Sequence, residues 1–390
     1  MDRTADVVVI GGGINGCTTA FQLATRGVKR VVLVDKGHIA GGPTGRSSGI
    51  VRQHYSQETL AAMARDSVKV WTHFADVVGG DAGFVNCGVV FMGGPGDADA
   101  IRATVTMQQR IGIDVTEMSG SELKAMEPAL FADDIACGAY EPGGGYADPA
   151  LAANSFAEAA ERAGVTIVKK TTVTGLTIEG GRIQGVVTSA GAISSPVVIN
   201  VAGPWGGNIA AMGGARIPLT VSRHPVVILQ RPKAWSAPTP VWGDLATGWY
   251  FKPERHGTIM VGSVRDIDDE VDAEDHNTEP TFAETEEYAS AILHRFPVME
   301  DGSAQGGWAG LYDVTPDYQP VIDRMPGVEG FYSAVGFSGH GFKIGPAVGV
   351  AVAELVLDGA CRSYDLGIFR YSRFDEHRSS RGAYGFGIVG

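Results

Sequence analysis

The first 36 residues combine two continuous apolar runs with a helical stretch between them. Residues 7–10 and 31–34 are apolar throughout, a pattern typical of strands buried on both faces of a parallel sheet. A G-x-G-x-x-G turn at 11–16 opens the intervening helix, and the second run ends on Asp35. This order predicts a dinucleotide site, with the pyrophosphate at the helix N-terminus and the carboxylate on a ribose.

The rest of the chain interleaves helical and strand-like patterns. Helical spacing of apolar residues predicts helices over 57–78, 98–111, 148–163, 284–296 and 345–357. Shorter apolar or alternating runs predict strands within 84–92, at 165–168, 173–178, 183–187 and 197–201, and repeatedly between 217 and 264. Gly180 and Gly181 form a predicted two-residue hairpin turn.

This interleaving predicts an α/β fold of two domains (an α+β arrangement at the level of the whole chain). One is a Rossmann-type dinucleotide domain split in sequence, at residues 1–84, 145–216 and 306–390. The other is an inserted antiparallel β-sheet domain for the substrate, at residues 85–144 and 217–305. Strands separated by helices favour the first, and consecutive strands with Pro and Gly between them favour the second.

Composition narrows the possible partners. The chain has 390 residues, of which 44% are hydrophobic and 19% charged, so a folded core is expected rather than disorder. The net charge is −13 and no basic run interrupts the sequence, which makes nucleic acid an improbable partner. Residues 266–287 hold eleven Asp or Glu and no Lys or Arg. This acidic stretch is either a solvated loop or helix face, or a surface that docks a partner.

The sequence contains no segment expected to cross or enter a membrane. No apolar run reaches the length of a membrane span, and no basic region precedes the first strand, so we expect neither a span nor a signal peptide. The cysteines at 17, 87, 137 and 361 are scattered, without C-x-x-C or zinc-like His spacing. They predict reduced thiols in a cytoplasmic protein, and no metal site is expected.

Five motifs carry a family resemblance. They are the opening strand–helix–strand unit and the segments 44–52, 198–205, 315–323 and 336–343. Together they resemble the D-amino acid oxidase/sarcosine oxidase (DAO) family of flavoproteins, in that family's order along the whole chain. The 336–343 segment is similar to sarcosine oxidases in general. The 44–52 loop resembles the β subunit of heterotetrameric sarcosine oxidases.

The resemblance implies bound FAD. Its adenosine end would lie at the glycine turn and at Asp35, its adenine on the Val173 backbone, and its isoalloxazine near Gly310 and Gly339. Gly310 stands where monomeric sarcosine oxidases have the cysteine that tethers FAD, so non-covalent FAD is expected. The implied cofactor-binding residues are Gly11, Gly13, Ile14, Asn15, Asp35, Lys36, Thr44, Arg46, Ser47, Ser48, Val173, Gly203, Trp205, Gly310, Tyr312, Gly339, His340, Gly341, Phe342 and Lys343.

Arg52 and Lys343 match the two positions that hold the substrate carboxylate in monomeric sarcosine oxidases. An arginine offers a carboxylate a bidentate fork and a lysine offers a mobile point charge. The alternative is that both are ordinary surface cations. Tyr250 is a candidate catalytic residue in the wall of the substrate site, with a role in the β-sheet core as the alternative. His340 is a candidate by position near the flavin or by acid–base chemistry.

Weaker candidates surround these four residues. Trp249 is a second candidate for the pocket wall, with a role in the β-sheet core as its alternative. His54 and Tyr55 follow Arg52 and are expected to line the same pocket. His224 faces the flavin or a second site, or it is simply a histidine at a strand end.

The resemblance implies oxidation of the C–N bond of a small carboxylate-bearing amine, such as sarcosine, another N-methyl amino acid or proline. Hydride would pass to flavin N5, and the resulting imine would be hydrolysed. Two cations beside the bound amine would lower its pKa, so no dedicated general base is expected. Met260 replaces a lysine that favours oxygen reactivity, so the electron acceptor is either O2 or another redox carrier. Two alternatives are oxidation of a 2-hydroxy acid, and a flavin subunit that works only with partner subunits in a hetero-oligomer.

Overall fold

The computed structural model describes residues 4–266, 270–376, 378 and 381–389. In these residues the helices are α1 Ile14–Thr25, α2 Glu58–Thr72, α3 Phe74–Val78, α4 Ala98–Arg110, α5 Gly120–Met126, α6 Pro149–Arg162, α7 Gly206–Met212, α8 Phe282–Arg295 and α9 Gly345–Leu357. The strands are β1 Val7–Ile10, β2 Val31–Val34, β3 Ile50–Val51, β4 Val85–Asn86, β5 Val89–Gly93, β6 Thr116–Met118, β7 Cys137–Glu141, β8 Gly145–Tyr146, β9 Thr166–Val168, β10 Val173–Glu179, β11 Arg182–Thr188, β12 Gly191–Ser194, β13 Val198–Asn200, β14 Thr220–Gln230, β15 Val241–Asp244, β16 Trp249–Pro253, β17 Thr258–Ser263, β18 Ser303–Val314, β19 Val321–Arg324 and β20 Phe331–Val335.

The dinucleotide domain is built on a sheet with the order β19-β20-β13-β1-β2-β9. Every pair is parallel except the edge pair β19–β20. Helix α1 packs against both α6 and α9, and all residues of β1 and β2 are buried. Burial on both faces explains why these strands are continuous apolar runs. The carboxyl ends of β1, β2 and β13 meet at one edge, where ligands of such sheets bind.

The second large sheet has the order β18-β14-β17-β16-β15-β5-β7-β6. Its pairs are antiparallel apart from β15 and β5, which run parallel. The predicted fold class is confirmed, including the split dinucleotide domain and the inserted sheet. The exact domain boundaries stay a prediction; the one at 305/306 falls inside β18, which pairs with β14 from Ser303 to Val314.

Most predicted elements are present, with local differences. The helix predicted over 57–78 is divided at His73, whose φ of −112° and ψ of 36° end α2 before α3 begins at Phe74. The hairpin glycines Gly180 and Gly181 have φ of +57° and +76°, as a type I′ turn requires. Helix α9 begins at Gly345 and ends at Leu357, as predicted.

The described residues also bear on membrane spans, metal sites and the state of the cysteines. No helix in the described parts of the chain is both long and apolar enough to cross a membrane. In the same residues, no three His, Cys, Asp or Glu side chains are grouped as metal ligands. The four cysteines are free thiols.

Candidate cofactor cleft and active site

The glycine turn after β1 has no room for side chains. Gly11 has a φ of +116°, and a Cβ there would lie 2.4 Å from the Val201 carbonyl oxygen. A Cβ on Gly16 would lie 1.8 Å from the Gly11 carbonyl oxygen. The N-cap of α1 is Gly13, which supplies no side-chain cap. The first amide of α1, that of Ile14, donates to the Thr44 hydroxyl at 3.1 Å, and the turn brings the N-terminal end of α1 to the cleft, where a diphosphate would bind.

Polar groups at the strand ends also fit a dinucleotide. Asp35 follows β2 and accepts backbone N–H groups from Gly12 at 2.7 Å and from Gly37 at 2.6 Å, which fix its carboxylate at the cleft. The Asn15 Oδ1 atom is buried without a hydrogen-bond partner. A fixed carboxylate and the N-terminal end of a helix are the groups expected around the ribose and the diphosphate of FAD. The residues present fit this cofactor.

A cleft of about 380 Å³ extends from this turn toward the large sheet. It brings together eighteen of the twenty predicted cofactor residues, namely Gly11, Gly13, Ile14, Asn15, Asp35, Lys36, Thr44, Arg46, Ser47, Ser48, Val173, Gly203, Trp205, Gly310, Tyr312, Gly339, Gly341 and Phe342. His340 and Lys343 are not part of the lining. Lining residues that the sequence did not identify include His38, Thr171, Thr172, Asn208, Ser263, Glu274 and Asp313.

A three-residue contact lies at the Lys36 side of the cleft. The Lys36 ammonium lies 3.6 Å from the centre of the Trp205 ring and pairs with the Glu274 carboxylate. The Trp205 Nε1 atom donates to the same carboxylate at 2.7 Å. Glu274 comes from the acidic stretch, so part of that stretch closes onto the dinucleotide domain. No motif in the sequence indicated this contact, because its partners are more than 60 residues apart.

Tyr250 and His224 lie in the wall formed by the large sheet. Tyr250 lines the cleft opposite Gly262, where a Cβ would meet the tyrosine ring at 2.1 Å. The buried ring of His224 lines the cleft as well and stacks on Tyr312 with 3.7 Å between ring centres. Burial lowers the pKa of His224 to about 3, so this imidazole is neutral. His224 thus faces the cofactor cleft.

Trp249 does not line this wall, which agrees with the alternative that it is a residue of the β-sheet core. Side chains alternate along a strand, so Trp249 points to the face opposite that of its neighbour Tyr250. There it packs edge-on against Tyr288, with ring centres 4.7 Å apart. Trp249 is therefore a core residue of the large sheet.

Arg52 and Lys343 form a buried cationic cluster beside the cleft. Their exposed fractions are only 6% and 8%, which rules out the alternative of ordinary surface cations. The Arg52 guanidinium lies over the Tyr55 ring at 4.0 Å and donates to the carbonyl oxygen of His54. The Lys343 Nζ atom donates to the Gly339 carbonyl at 3.2 Å. Burial first, and then the charge of Arg52, hold the pKa of Lys343 well below its usual range.

His340 belongs to the same cluster. Its Nδ1 atom lies 3.2 Å from the Tyr55 hydroxyl, and its Nε2 atom has no hydrogen-bond partner. Burial, Lys343 and Arg52 all depress the pKa of His340. The imidazole of His340 is therefore neutral and a poor proton acceptor near neutral pH. It fills the space beside Tyr55 and leaves its Nε2 atom without a hydrogen-bond partner.

A hydrogen-bond network positions the residues around Arg52. Glu141 is fully buried and accepts the Gln53 backbone N–H and the Gln108 side-chain amide, both at 2.8 Å. Gln108 also contacts His54 Nδ1 at 3.1 Å, and His54 Nε2 lies 2.6 Å from the Tyr384 hydroxyl. Burial raises the pKa of Glu141 to about 7. The network fixes the backbone that directly follows Arg52.

Replacing His54 with glutamine is expected to destabilise the protein more at pH 8 than at pH 5. Burial and the charge of Arg52 lower the pKa of His54 to about 3, against about 6.5 in an unfolded chain. Below about pH 6.5 the imidazole takes up a proton in the unfolded chain but not in the folded one, which stabilises the unfolded state. The contribution of His54 to the free energy of unfolding is therefore complete above that pH and is lost toward pH 3. The difference in unfolding free energy between wild type and H54Q should shrink by about 2 kcal/mol between pH 8 and pH 5.

Urea unfolding at the two pH values measures this difference. H73Q is the control for replacing an imidazole by an amide at an exposed position. An H54Q difference that is independent of pH would contradict the neutral, buried state of His54.

Comparison with known proteins supports the cofactor assignment. A family model described as FAD dependent oxidoreductase (DAO) matches residues 6–355. The crystal structure of L-proline dehydrogenase from P. horikoshii superposes with a TM-score of 0.89 at 30% identity, covering 97% of this chain and 100% of that one. The mitochondrial sarcosine dehydrogenase of Homo sapiens is 27% identical over 97% of this chain. Sarcosine oxidase subunit beta of Rhodobacter capsulatus is 27% identical over 91% of this chain and 85% of its own length. The chain spans only 43% of the length of the sarcosine dehydrogenase.

Proposed function

Because the chain belongs to the FAD dependent oxidoreductase family, we propose that it oxidises the C–N bond of a small amine that carries a carboxylate. Secondary amino acids such as sarcosine, other N-methyl amino acids and proline are the favoured substrates. Bound FAD supplies the two-electron acceptor, and the product is an imine that water hydrolyses. The observation that carries the proposal is the pair of buried cations, Arg52 and Lys343, next to the cofactor cleft.

Each residue of the cluster has a role in this reaction. Arg52 and Lys343 bind the substrate carboxylate through charge-assisted hydrogen bonds, and the bound anion in turn raises the depressed pKa of Lys343 and favours its ammonium form. Tyr250 and Tyr312 form the wall that holds the substrate over the cofactor and excludes water. His340 fills the space beside Tyr55 as a neutral ring. The similarity to an L-proline dehydrogenase and to sarcosine-oxidising proteins supports an amine rather than a hydroxy acid as substrate.

The bound amine loses its proton to water rather than to a dedicated base in this proposal. Two adjacent cations disfavour the ammonium form of the substrate and lower its pKa. The neighbouring imidazoles of His224 and His340 have depressed pKa values, which makes them weak bases. The neutral amine is the form that releases hydride from the adjacent carbon.

Replacing Lys343 with methionine is therefore expected to shift the pH profile of flavin reduction upward. Loss of one neighbouring cation stabilises the protonated form of the bound substrate amine. The apparent pKa of that amine, seen on the acidic limb of the profile, should therefore rise by about one unit. Anaerobic stopped-flow reduction across a pH series measures the shift. The K124M variant, which alters a lysine outside the cleft, should retain the wild-type profile. An unchanged profile in K343M would mean that Lys343 does not act on the substrate amine.

Product analysis tests the substrate class. The FAD-loaded protein is incubated with an N-methyl amino acid, proline or a 2-hydroxy acid, in the presence of an artificial electron acceptor. We expect formaldehyde from N-demethylation, or the cyclic imine from proline, and no keto acid from the hydroxy acid. Turnover of the hydroxy acid alone would favour the alternative activity.

The electron acceptor and the attachment of FAD follow from residues near the cleft. Met260 is buried and uncharged, and its neighbour Lys252 on β16 is already paired with Glu254. We propose slow reoxidation of the flavin by O2 and faster reoxidation by another redox carrier.

Gly310 provides no thiol and the four cysteines lie outside the cleft lining. We therefore propose non-covalent FAD, which acid precipitation should release into the supernatant.

A role as one subunit of a hetero-oligomer is a second candidate, favoured by the similarity to sarcosine oxidase subunit beta. The size and activity of the chain expressed alone test it. An FAD-loaded chain that is reduced by substrate but turns over slowly until partner subunits are added would support this candidate. Full turnover by the isolated chain would exclude it.

A further inference from the structure

We propose that Glu141 is the internal counter-charge of Arg52 and sets how tightly the site holds the carboxylate of a substrate. The inference rests on the proposed function, because it concerns the anion that Arg52 would bind. Glu141 is not part of the cleft lining. It acts on the substrate through Arg52, so it is a positioning residue and not a catalytic one.

The carboxylate of Glu141 is held beside the backbone that carries Arg52. Glu141 is the last residue of β7, is fully buried, and has the apolar Val89 as its partner on β5. Its Oε2 atom accepts the backbone N–H of Gln53, the residue after Arg52, at 2.8 Å. Its Oε1 atom accepts the Gln108 side-chain amide at 2.8 Å, and the same amide donates to the Gln53 carbonyl at 2.9 Å. Both oxygens of the carboxylate are therefore fixed.

Glu141 has no charged side chain in direct contact among the described residues. The buried Asp317, in contrast, pairs with Arg373 at 2.8 Å. Both donors to Glu141 are neutral amides, and the His54 ring, with Nδ1 3.9 Å from Oε1, stays neutral because burial lowers its pKa to about 3. A buried cation such as Arg52 is costly without a compensating charge, and the charge of Glu141 is close enough to supply part of it.

Glu141 is also the member of this network that changes charge near neutral pH. Burial raises the pKa of Glu141 to about 7, while its two hydrogen bonds and the charge of Arg52 oppose the rise. The other titratable groups that face it are His54, Tyr55 and Tyr384. Burial holds the pKa of both phenols far above neutral and that of the imidazole far below it, so all three stay uncharged while Glu141 titrates.

The sign of the effect follows from the two charges that share one guanidinium. An ionised Glu141 repels a substrate carboxylate bound at Arg52, and water and salt screen this repulsion only weakly in a buried site. The protonated form of Glu141 exerts no such repulsion. Affinity for the carboxylate therefore falls as the pH rises through the pKa of Glu141. By linkage, the bound anion raises that pKa, so binding draws part of a proton onto Glu141.

The test compares the wild type with Glu141→Gln, which removes the charge and keeps the size of the side chain. Binding of pyrrole-2-carboxylate, an unreactive planar analogue of proline, to the FAD-loaded protein is followed by flavin absorbance. We expect the ratio of the wild-type to the E141Q dissociation constant to be close to one at about pH 5.5 and to reach about five at about pH 8.5. Lys343 and Asp313 titrate in both proteins, so their contributions cancel in this ratio.

Two controls and a second measurement accompany this comparison. Glu158→Gln neutralises an exposed carboxylate on α6 and should give a ratio close to one at every pH. Glu141→Asp keeps the charge and should retain the wild-type dependence on pH. If E141Q does not fold, proton uptake by K343M is measured with an indicator dye at about pH 7.5, above the pKa of about 6 that burial gives Asp313. A fivefold effect corresponds to uptake of about 0.4 of a proton per bound ligand.

Three outcomes would overturn the inference. A ratio that does not change with pH, or no proton uptake by K343M, would mean that Glu141 does not sense the bound anion, while the carboxylate site itself stands. Weaker binding by E141Q than by the wild type at about pH 8.5 would mean that the ionised carboxylate supports the anchor and does not oppose the anion. Absence of any absorbance change at saturating ligand, in every protein and at every pH, would remove the carboxylate site and the proposed function together.

Discussion

Methionine in place of Arg52 is expected to weaken substrate binding by about 100-fold or more, the equivalent of about 3 kcal/mol. The guanidinium would make charge-assisted hydrogen bonds to the substrate carboxylate in a pocket from which water is excluded, where such bonds contribute most. Methionine keeps the length and apolar stem of the side chain, so packing on Tyr55 and Phe91 is largely retained. The dissociation constant comes from the substrate dependence of anaerobic flavin reduction.

The matched control for Arg52 is Arg110→Met. Arg110 lies on the surface and pairs with Glu58 at 2.6 Å, and exposed pairs of this kind contribute about 1 kcal/mol or less. Substrate binding in R110M should match the wild type. An R52M dissociation constant within threefold of the wild-type value would mean that Arg52 is not the carboxylate anchor.

Alanine in place of Gly16 is expected to reduce FAD affinity by at least about 100-fold, or about 3 kcal/mol. The added Cβ would lie 1.8 Å from the Gly11 carbonyl oxygen, a contact that only a shift of the turn or of α1 can relieve. The shift would move the helix amides away from the diphosphate. Titration of the apoprotein with FAD, followed by quenching of flavin fluorescence, measures the affinity.

Gly207→Ala is the control for this substitution, because Gly207 also lies in a helix. A Cβ on Gly207 would have its nearest neighbour at 3.8 Å, and alanine favours helix over glycine. This variant should bind FAD as the wild type does. Equal FAD affinity in G16A and the wild type would show that the turn does not hold the diphosphate.

Local sequence patterns were enough to predict the fold and to propose where the adenosine half of the cofactor would bind. Continuous apolar runs revealed β1 and β2, since strands covered on both faces leave no polar positions. The glycine turn and Asp35 lie within about 25 residues of one another, so their geometry follows from a single strand–helix–strand unit. These features are local, and local features can be read from one sequence.

The substrate side depends on contacts between distant segments. Trp249 and Tyr250 are neighbours with similar sequence signals, and only the pairing of β16 in the large sheet decides which one faces the cleft. Glu141 and Tyr384 converge on the neighbours of Arg52 from positions 89 and 332 residues further along the chain (141 − 52 and 384 − 52). No periodicity or motif connects such residues, so the network emerges only from the structure.

The most direct test of the account is anaerobic mixing of the FAD-loaded protein with sarcosine, proline and the amide of each, while flavin absorbance is followed. The acid and its amide share the same C–N bond, and only the acid carries the anion that Arg52 and Lys343 would bind. We predict rapid loss of flavin absorbance with at least one of the two acids and a rate at least about 100-fold lower with its amide. Equal reduction by acid and amide, or no reduction by either acid, would contradict the assignment of this site to carboxylate-bearing amines.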